Sequence, residues 1–211
     1  MTLAQLRTAL QTRGYATDTA TQQTELLNAV YREIAGVRRW DWMEATTTAP
    51  CVVGTETVTP VATDILAVDA LRILSGTSYY LLDYEPPQQF KERSYVDRDV
   101  GTPQYWTYSQ GAYRLWPRPD KTYTVDIDYV KDPADLSADG DTPLLPATYH
   151  DLLIWGAVRD ITFRERDWNG NNVATKRFED LLARMTAAHG IRQRQDSQYV
   201  RRSDFWSTVG A

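Results

Sequence analysis

The sequence predicts an α+β fold: an α-helical bundle formed by N- and C-terminal helices, a small antiparallel β-sandwich lobe inserted between them, and an extended C-terminal tail. Two observations support it. Apolar residues recur at helical spacing near both ends, whereas short runs rich in β-branched and aromatic residues fill the middle. The predicted segments are 1–43 for the N-terminal helices, 44–131 for the lobe, 132–190 for a loop and the C-terminal helices, and 191–211 for the tail.

The composition is that of an ordinary globular protein. Of the 211 residues, 42% are hydrophobic and 24% charged. The single Cys51 cannot form an internal disulfide, which is typical of folding in a reducing cytoplasm. No stretch approaches the roughly 20 apolar residues of a membrane span. The net charge of -5 argues against a surface that clamps DNA. The 7 Trp and 13 Tyr indicate half-buried surface or, alternatively, a sugar-binding module.

The first 43 residues predict two helices. Thr2 is a suitable cap for a helix over residues 2–13, and Gly14 can end it in a left-handed conformation. A second helix is predicted after the polar stretch ATDTATQQ. Its predicted apolar face consists of Leu26, Leu27, Val30, Ile34 and Val37.

The middle region has the period of strands, with a short helix predicted over residues 88–95. Its clearest strand places Tyr123, Val125, Ile127 and Tyr129 on one face. The stretch GAYRLWPRPDKTYTVDIDY, residues 111–129, predicts a hairpin. Because Pro117 and Pro119 each remove a backbone donor, we expect WPRPD to form a stiff turn that leaves the strand ladder, with Trp116 exposed beside it.

Two further helices are predicted after the turn-rich residues 131–146. The first has a helix-compatible run of Tyr149, Leu152, Leu153, Gly156, Ala157 and Ile161, in which Gly156 and Ala157 would let another helix approach closely. WNGNN, residues 168–172, is predicted to be a turn. The last helix carries Val173, Phe178, Leu181, Leu182, Met185 and Ala188 and is predicted to stop at Gly190.

Residues capable of catalysis or metal binding are few. His150 and Asp151 are adjacent, so on a helix they point in different directions, and no nucleophile motif accompanies them. We interpret His150 as a structural residue near a capping Thr148. Asp126 and Asp128 share a strand face, where solvation is favoured over hard-metal binding. With one Cys and two His, neither a metal site nor a cofactor is predicted.

An aromatic run could stack sugars or bases; it comprises Tyr105, Trp106, Tyr108, Tyr113 and Trp116. Only Arg114 and Arg118 are interleaved with it, whereas nucleic-acid platforms carry many cations. A sandwich core together with a subunit interface explains the aromatic residues at least as well. The tail, residues 191–211, carries four arginines against two aspartates, which suggests a segment ordered by a partner.

Three stretches keep a characteristic order along the chain. They are ELLNAVYREIAGVRRWDWME, GTPQYWTYSQGAYRLWPRPDKTYTVDIDYV, and LPATYHDLLIWGAVRDITFRERD followed by RFEDLLARM. In this order they resemble the head-to-tail adaptor, or connector, proteins of tailed bacteriophages. The resemblance covers residues 24–185.

The resemblance implies a non-enzymatic virion protein at the head–tail interface, assembled in the host cytoplasm. It implies a homo-oligomeric ring of twelve subunits below the portal protein, with packaged DNA passing through its channel without sequence-specific binding. The opposite side would receive a tail, nozzle or stopper protein. No cofactor and no membrane is involved. The alternative is a carbohydrate- or receptor-binding β module of a virion, motivated by the Trp and Tyr excess.

Two sets of contact residues are predicted. The resemblance implies that the tail reaches the portal, and its candidate contacts are Arg192, Arg194, Tyr199, Arg201, Arg202, Phe205 and Trp206. Arginines there would pair with acidic residues, and aromatic rings would fill pockets. The candidate contacts with a tail protein or a neighbouring subunit are Trp106, Trp116 and Arg118.

Overall fold

The computed structural model describes residues 1–15, 18–96 and 99–190, and the backbone of residues 200 and 201. Its helices are α1 (Leu3–Thr12), α2 (Ala20–Val37), α3 (Pro87–Val96), α4 (His150–Glu165) and α5 (Trp168–His189). Its strands are β1 (Glu44–Cys51), β2 (Thr57–Val58), β3 (Ile65–Ser75), β4 (Ser78–Leu81), β5 (Asp83–Tyr84), β6 (Val100–Gly101), β7 (Tyr105–Ser109), β8 (Ala112–Trp116), β9 (Arg118–Pro119), β10 (Tyr123–Lys131) and β11 (Val200–Arg201). The α+β class is therefore confirmed.

The chain folds as two units. The helical unit consists of Met1–Met43 and residues 133–190, and it contains α1, α2, α4 and α5. The sheet unit consists of Glu44–Asp132 together with β11, and it contains α3 and all the described strands. Each unit has a hydrophobic interior of its own.

Each of the first two helices begins with a capping box. Thr2 Oγ1 accepts from the Gln5 amide at 3.3 Å, while Gln5 Oε1 accepts from the Thr2 amide at 2.9 Å. Thr19 and Gln22 repeat this capping box ahead of α2. The predicted Thr2 cap is confirmed, and Gly14 follows α1 with φ +94°. The second helix begins inside ATDTATQQ rather than after it, because Thr19 satisfies its first amides.

The face that α2 buries differs in part from the prediction. Leu27, Val30 and Ile34 are buried as expected, but Val37 is 51% exposed because the helix ends there. Asn28 is buried instead, and its side chain binds both backbone groups of Leu136: Nδ2 donates to the carbonyl and Oδ1 accepts from the amide, each at 2.9 Å. The pairing satisfies all four polar groups, which makes this burial of a polar side chain tolerable.

The close helix approach predicted at Gly156 is confirmed. A Cβ atom added to Gly156 in α4 would lie only 2.4 Å from Val30 Cγ1 of α2 and 3.1 Å from Phe178 Cε2 of α5. α4 is therefore held between two neighbouring helices at a position where no side chain fits. Its other buried residues are His150, Leu152, Leu153, Ile154, Ala157, Val158, Ile161 and Thr162.

The turn predicted over WNGNN is wrong. Those residues form the first turn of α5, because Asp167 Oδ1 accepts from the Gly170 amide at 3.0 Å and caps the helix. The buried face of α5 also differs in part from the prediction. Ala174, Phe178 and Met185 are buried, whereas Val173 is 57% exposed.

The sheet unit contains two larger sheets and a small one. In the first, β10 lies between β1 and β3, and both β4 and β11 pair with β3. The second has the order β2-β8-β7-β5, and the small sheet pairs β6 with β9. One hydrophobic cluster includes Val125 and Ile127 from the first sheet and Trp106 and Leu115 from the second. The alternation predicted along β10 is confirmed, since Tyr123, Val125, Ile127 and Tyr129 are all buried.

The hairpin predicted around WPRPD is wrong. β8 pairs with β7 and β2, whereas β10 pairs with β1 and β3, so the two strands lie in different sheets. WPRPD does leave the β7–β8 ladder, as predicted, since β8 ends at Trp116, but Arg118–Pro119 then pairs in parallel with Val100–Gly101 in the small sheet. A proline lacks a donor but keeps its carbonyl, and the carbonyl of Pro119 accepts from the Gly54 amide at 2.8 Å.

Candidate interaction surface

Most of the predicted portal-binding residues lie outside the described part of the chain. They are Arg192, Arg194, Tyr199, Arg202, Phe205 and Trp206. For Arg201 only the backbone is described. It belongs to β11, in which Val200 and Arg201 pair antiparallel with Val68 and Ala67 of β3. One edge of β3 therefore accepts a short segment from the C-terminal part of the chain.

Trp106 is a core residue. Its side chain is 1% exposed and lies edge-on to Tyr84, with 5.0 Å between the ring centroids. It faces the interior together with Leu115, its partner across the β7–β8 pair, which is fully buried. A ring in this position has no surface to offer a partner, which corrects the prediction that Trp106 is a contact residue.

Trp116 is half-buried, so the expectation of an exposed ring is met only in part. Its ring lies 5.9 Å from that of Tyr105, and the guanidinium of Arg93 lies 5.1 Å from the Trp116 ring centroid and 4.4 Å from that of Tyr105. Glu85, nearly buried, accepts from Arg93 Nη2 at 2.8 Å and from Arg93 Nε at 3.1 Å. This hydrogen bonding raises the pKa of Arg93. The contacts of Arg93 with the rings of Tyr105 and Trp116 tie α3 to the β7–β8 pair.

A recess of about 270 Å³ opens beside α3 in the sheet unit. It is lined by Glu56, Phe90, Lys91, Ser94, Tyr95, Ser109, Gln110, Arg114 and Arg118. Arg114 forms an ion pair with Glu56, and its Nη2 donates to Gln110 Oε1 at 2.9 Å. We name this feature the basic recess. The sequence did not predict it, because Lys91 of α3 is distant in the chain from Arg114 of β8 and Arg118 of β9.

The residues considered for catalysis or metal binding have structural roles. His150 is buried, with its Nε2 3.0 Å from the Leu145 carbonyl and its Nδ1 against the Met1 amino group. Thr148 does not cap the helix; Tyr149 occupies the N-cap without a side-chain bond. Asp128 binds Thr46 Oγ1 at 2.9 Å and pairs with Arg72. Among the described residues, no three His, Cys, Asp or Glu side chains are grouped as metal ligands.

Stability should depend on the protonation of His150. Burial is the main cause that lowers its pKa in the folded protein, whereas an unfolded histidine titrates near 6.5. Below that value the unfolded chain binds more protons, so the free energy of unfolding should fall between pH 7.5 and pH 5.5. We expect His150→Gln to reduce this fall, as measured by urea unfolding at both pH values. If His189→Gln reduces it instead, the effect belongs to the other histidine.

The comparison with protein families agrees with the sequence resemblance. Within the described ranges, no helix is both long and apolar enough to cross a membrane. A search of curated proteins finds no match. A sequence model described as SU10 adaptor protein matches residues 1–203, which is almost the whole chain. The chain therefore belongs to the SU10 adaptor protein family, consistent with a head-to-tail adaptor of a tailed bacteriophage.

Proposed function

We propose that this protein is a non-enzymatic adaptor of a bacteriophage virion. It assembles as a homo-oligomeric ring on the portal protein, with twelve subunits by the resemblance, extends the DNA channel, and offers an attachment surface to a tail, nozzle or stopper protein. The observation that carries the proposal is the family match over residues 1–203. In this proposal the four helices of the helical unit act as a bundle, and the two larger sheets act as a β-sandwich lobe around their shared cluster.

The charge distribution supports passage of DNA without a firm grip. The whole chain has a net charge of -5, and the tail carries four arginines against two aspartates, so residues 1–190 carry -7. Binding to phosphates requires clustered cations, whereas an acidic body repels the duplex weakly. A channel built from such subunits would let the genome slide.

We assign portal binding to the tail, whose arginines and aromatic residues suit a groove in a partner protein. Removing residues 202–211 takes away Arg202, Phe205 and Trp206 but keeps β11. We expect this truncated protein to remain folded and to fail to join particles that carry the portal, as measured by co-sedimentation. Its matched control replaces the same residues with a Gly/Ser segment of equal length, which should also fail. Normal joining by either protein would remove these residues from the mechanism.

The attachment surface is proposed to include Trp116 and Arg118. At Trp116 protein contact is favoured over glycan stacking, because Arg93 covers one face of the ring. Trp106 is buried and cannot contribute to a sugar platform. The structure therefore offers no specific support for the carbohydrate-binding alternative.

A further inference from the structure

The basic recess has a net positive charge, whereas the chain as a whole has a net negative charge. Three of its lining residues are cations, Lys91, Arg114 and Arg118, and one is an anion, Glu56. Glu56 offsets Arg114 through their ion pair. Within the described part of the chain, the side chains of Lys91 and Arg118 form no ion pair. The recess thus contributes two positive charges that have no ion-pair partner among the described residues, in a chain whose net charge is -5.

The lining combines these charges with neutral donors and an apolar wall. Phe90 is 2% exposed and supplies a fixed apolar contact, while Ser94 and Gln110 add a hydroxyl and an amide.

The size of the recess limits what can enter it. Its volume of about 270 Å³ is below the roughly 300–1,000 Å³ of pockets that enclose drug-sized ligands. One side chain and the turn that carries it fit this space better than a whole small molecule. A short, negatively charged acceptor matches the cations of the recess. Methylene groups next to that acceptor match the apolar side chain of Phe90.

We propose that the basic recess receives the carboxylate of an Asp or Glu side chain on an exposed loop of a protein that docks against the sheet unit. Arg118 supplies a planar pair of donors suited to a carboxylate, and Lys91 adds a second positive charge. This contact would be one specific part of the proposed attachment surface. That the partner is a protein of the virion rests on the proposed function.

The arrangement of the cations favours a protein carboxylate over a DNA phosphate as the bound group. A duplex carries a charge about every 1.7 Å along its axis, so tight binding uses a row of cations along the groove or backbone. Here Lys91 and Arg118, which form no ion pair with the described residues, line one small recess. The surrounding chain is acidic and would repel the rest of the duplex.

The test uses the nitrogen-15-labelled full chain without portal and follows Arg side-chain and backbone amide signals by NMR. The probe is the blocked peptide Gly-Ser-Glu-Glu-Leu-Gly, and its comparison replaces both Glu by Gln. We expect saturable shifts at Ser94, Gln110, Arg114 and Arg118 with the Glu peptide alone. Arg118→Gln should weaken binding at least about tenfold, as expected for loss of a charged hydrogen bond.

Lys176→Gln is the matched control, since it removes one exposed positive charge from α5, outside the recess. It should leave the affinity unchanged. Equal binding of the Gln peptide, equal weakening by Lys176→Gln, or no binding of the Glu peptide would each overturn the proposal. Tighter binding of a short DNA duplex at the same signals would assign the recess to nucleic acid instead. Because no portal is present, failure here is distinct from failure of ring assembly, which the co-sedimentation measures.

Discussion

Trp106→Ala is expected to destabilise the sheet unit by about 3–5 kcal/mol, the usual cost of truncating a buried aromatic side chain to alanine. The ring is 1% exposed, and its centroid lies 5.0 Å from that of Tyr84 and 6.2 Å from that of Tyr113. Its removal would leave a cavity that these neighbours fill only in part. Urea unfolding followed by circular dichroism measures the loss.

Two further variants separate the core role of Trp106 from a surface role. Trp116→Ala removes a ring of the same type from a half-buried position and should cost clearly less. Trp106→Phe should also cost less than Trp106→Ala, because it keeps an aromatic ring and Trp106 Nε1 is buried without a hydrogen-bond partner to lose. Equal losses for Trp106→Ala and Trp116→Ala would contradict the burial of Trp106 and restore it as a candidate contact.

Gly156→Ala is expected to destabilise the helical unit by about 1–3 kcal/mol, the range for overpacking a well-packed core. The added Cβ would lie 2.4 Å from Val30 Cγ1. Val30 is β-branched and stiff at χ1 in a helix, so its methyl group cannot swing aside cheaply. The gain in helix propensity from Gly to Ala, about 1 kcal/mol, offsets only part of this strain.

Gly36→Ala is the matched control for Gly156→Ala. Gly36 lies in α2, where an added Cβ meets nothing within 4 Å. There the propensity gain acts alone, so we expect Gly36→Ala to stabilise the protein by about 0.5–1 kcal/mol. Val30→Ala should recover part of the loss when combined with Gly156→Ala. Thermal unfolding of the unaltered protein, Gly156→Ala, Gly36→Ala and the double variant measures these differences. If Gly156→Ala proves as stable as Gly36→Ala, the close helix approach is contradicted.

Features that depend on neighbouring residues in the chain were predictable from the sequence. Thr2 caps α1, the short helix predicted over residues 88–95 appears as Pro87–Val96, and β10 alternates as its pattern indicates. Caps and side-chain periodicity act within a few residues, so the local sequence carries the information. Gly156 was also predictable, because a small residue on an apolar helix face signals close packing.

The local sequence pattern gave a wrong prediction where the same residues are compatible with two different structures. WNGNN reads as a turn, but Asp167 caps a helix that runs through it. Val37 has helical spacing yet lies at the exposed end of α2. In both cases the local residues permit the prediction, and the position of the helix boundary decides the outcome.

The sequence by itself determined the α+β class and most of the element order, because hydrophobic period and capping chemistry are local. Only the tertiary structure decided that β8 and β10 lie in different sheets, since strand pairing joins residues that are distant in the chain. It also decided that Trp106 is buried while Trp116 is half-buried, although both are aromatic residues of neighbouring strands. The basic recess exists only in three dimensions, where folding brings Lys91, Arg114 and Arg118 around one space.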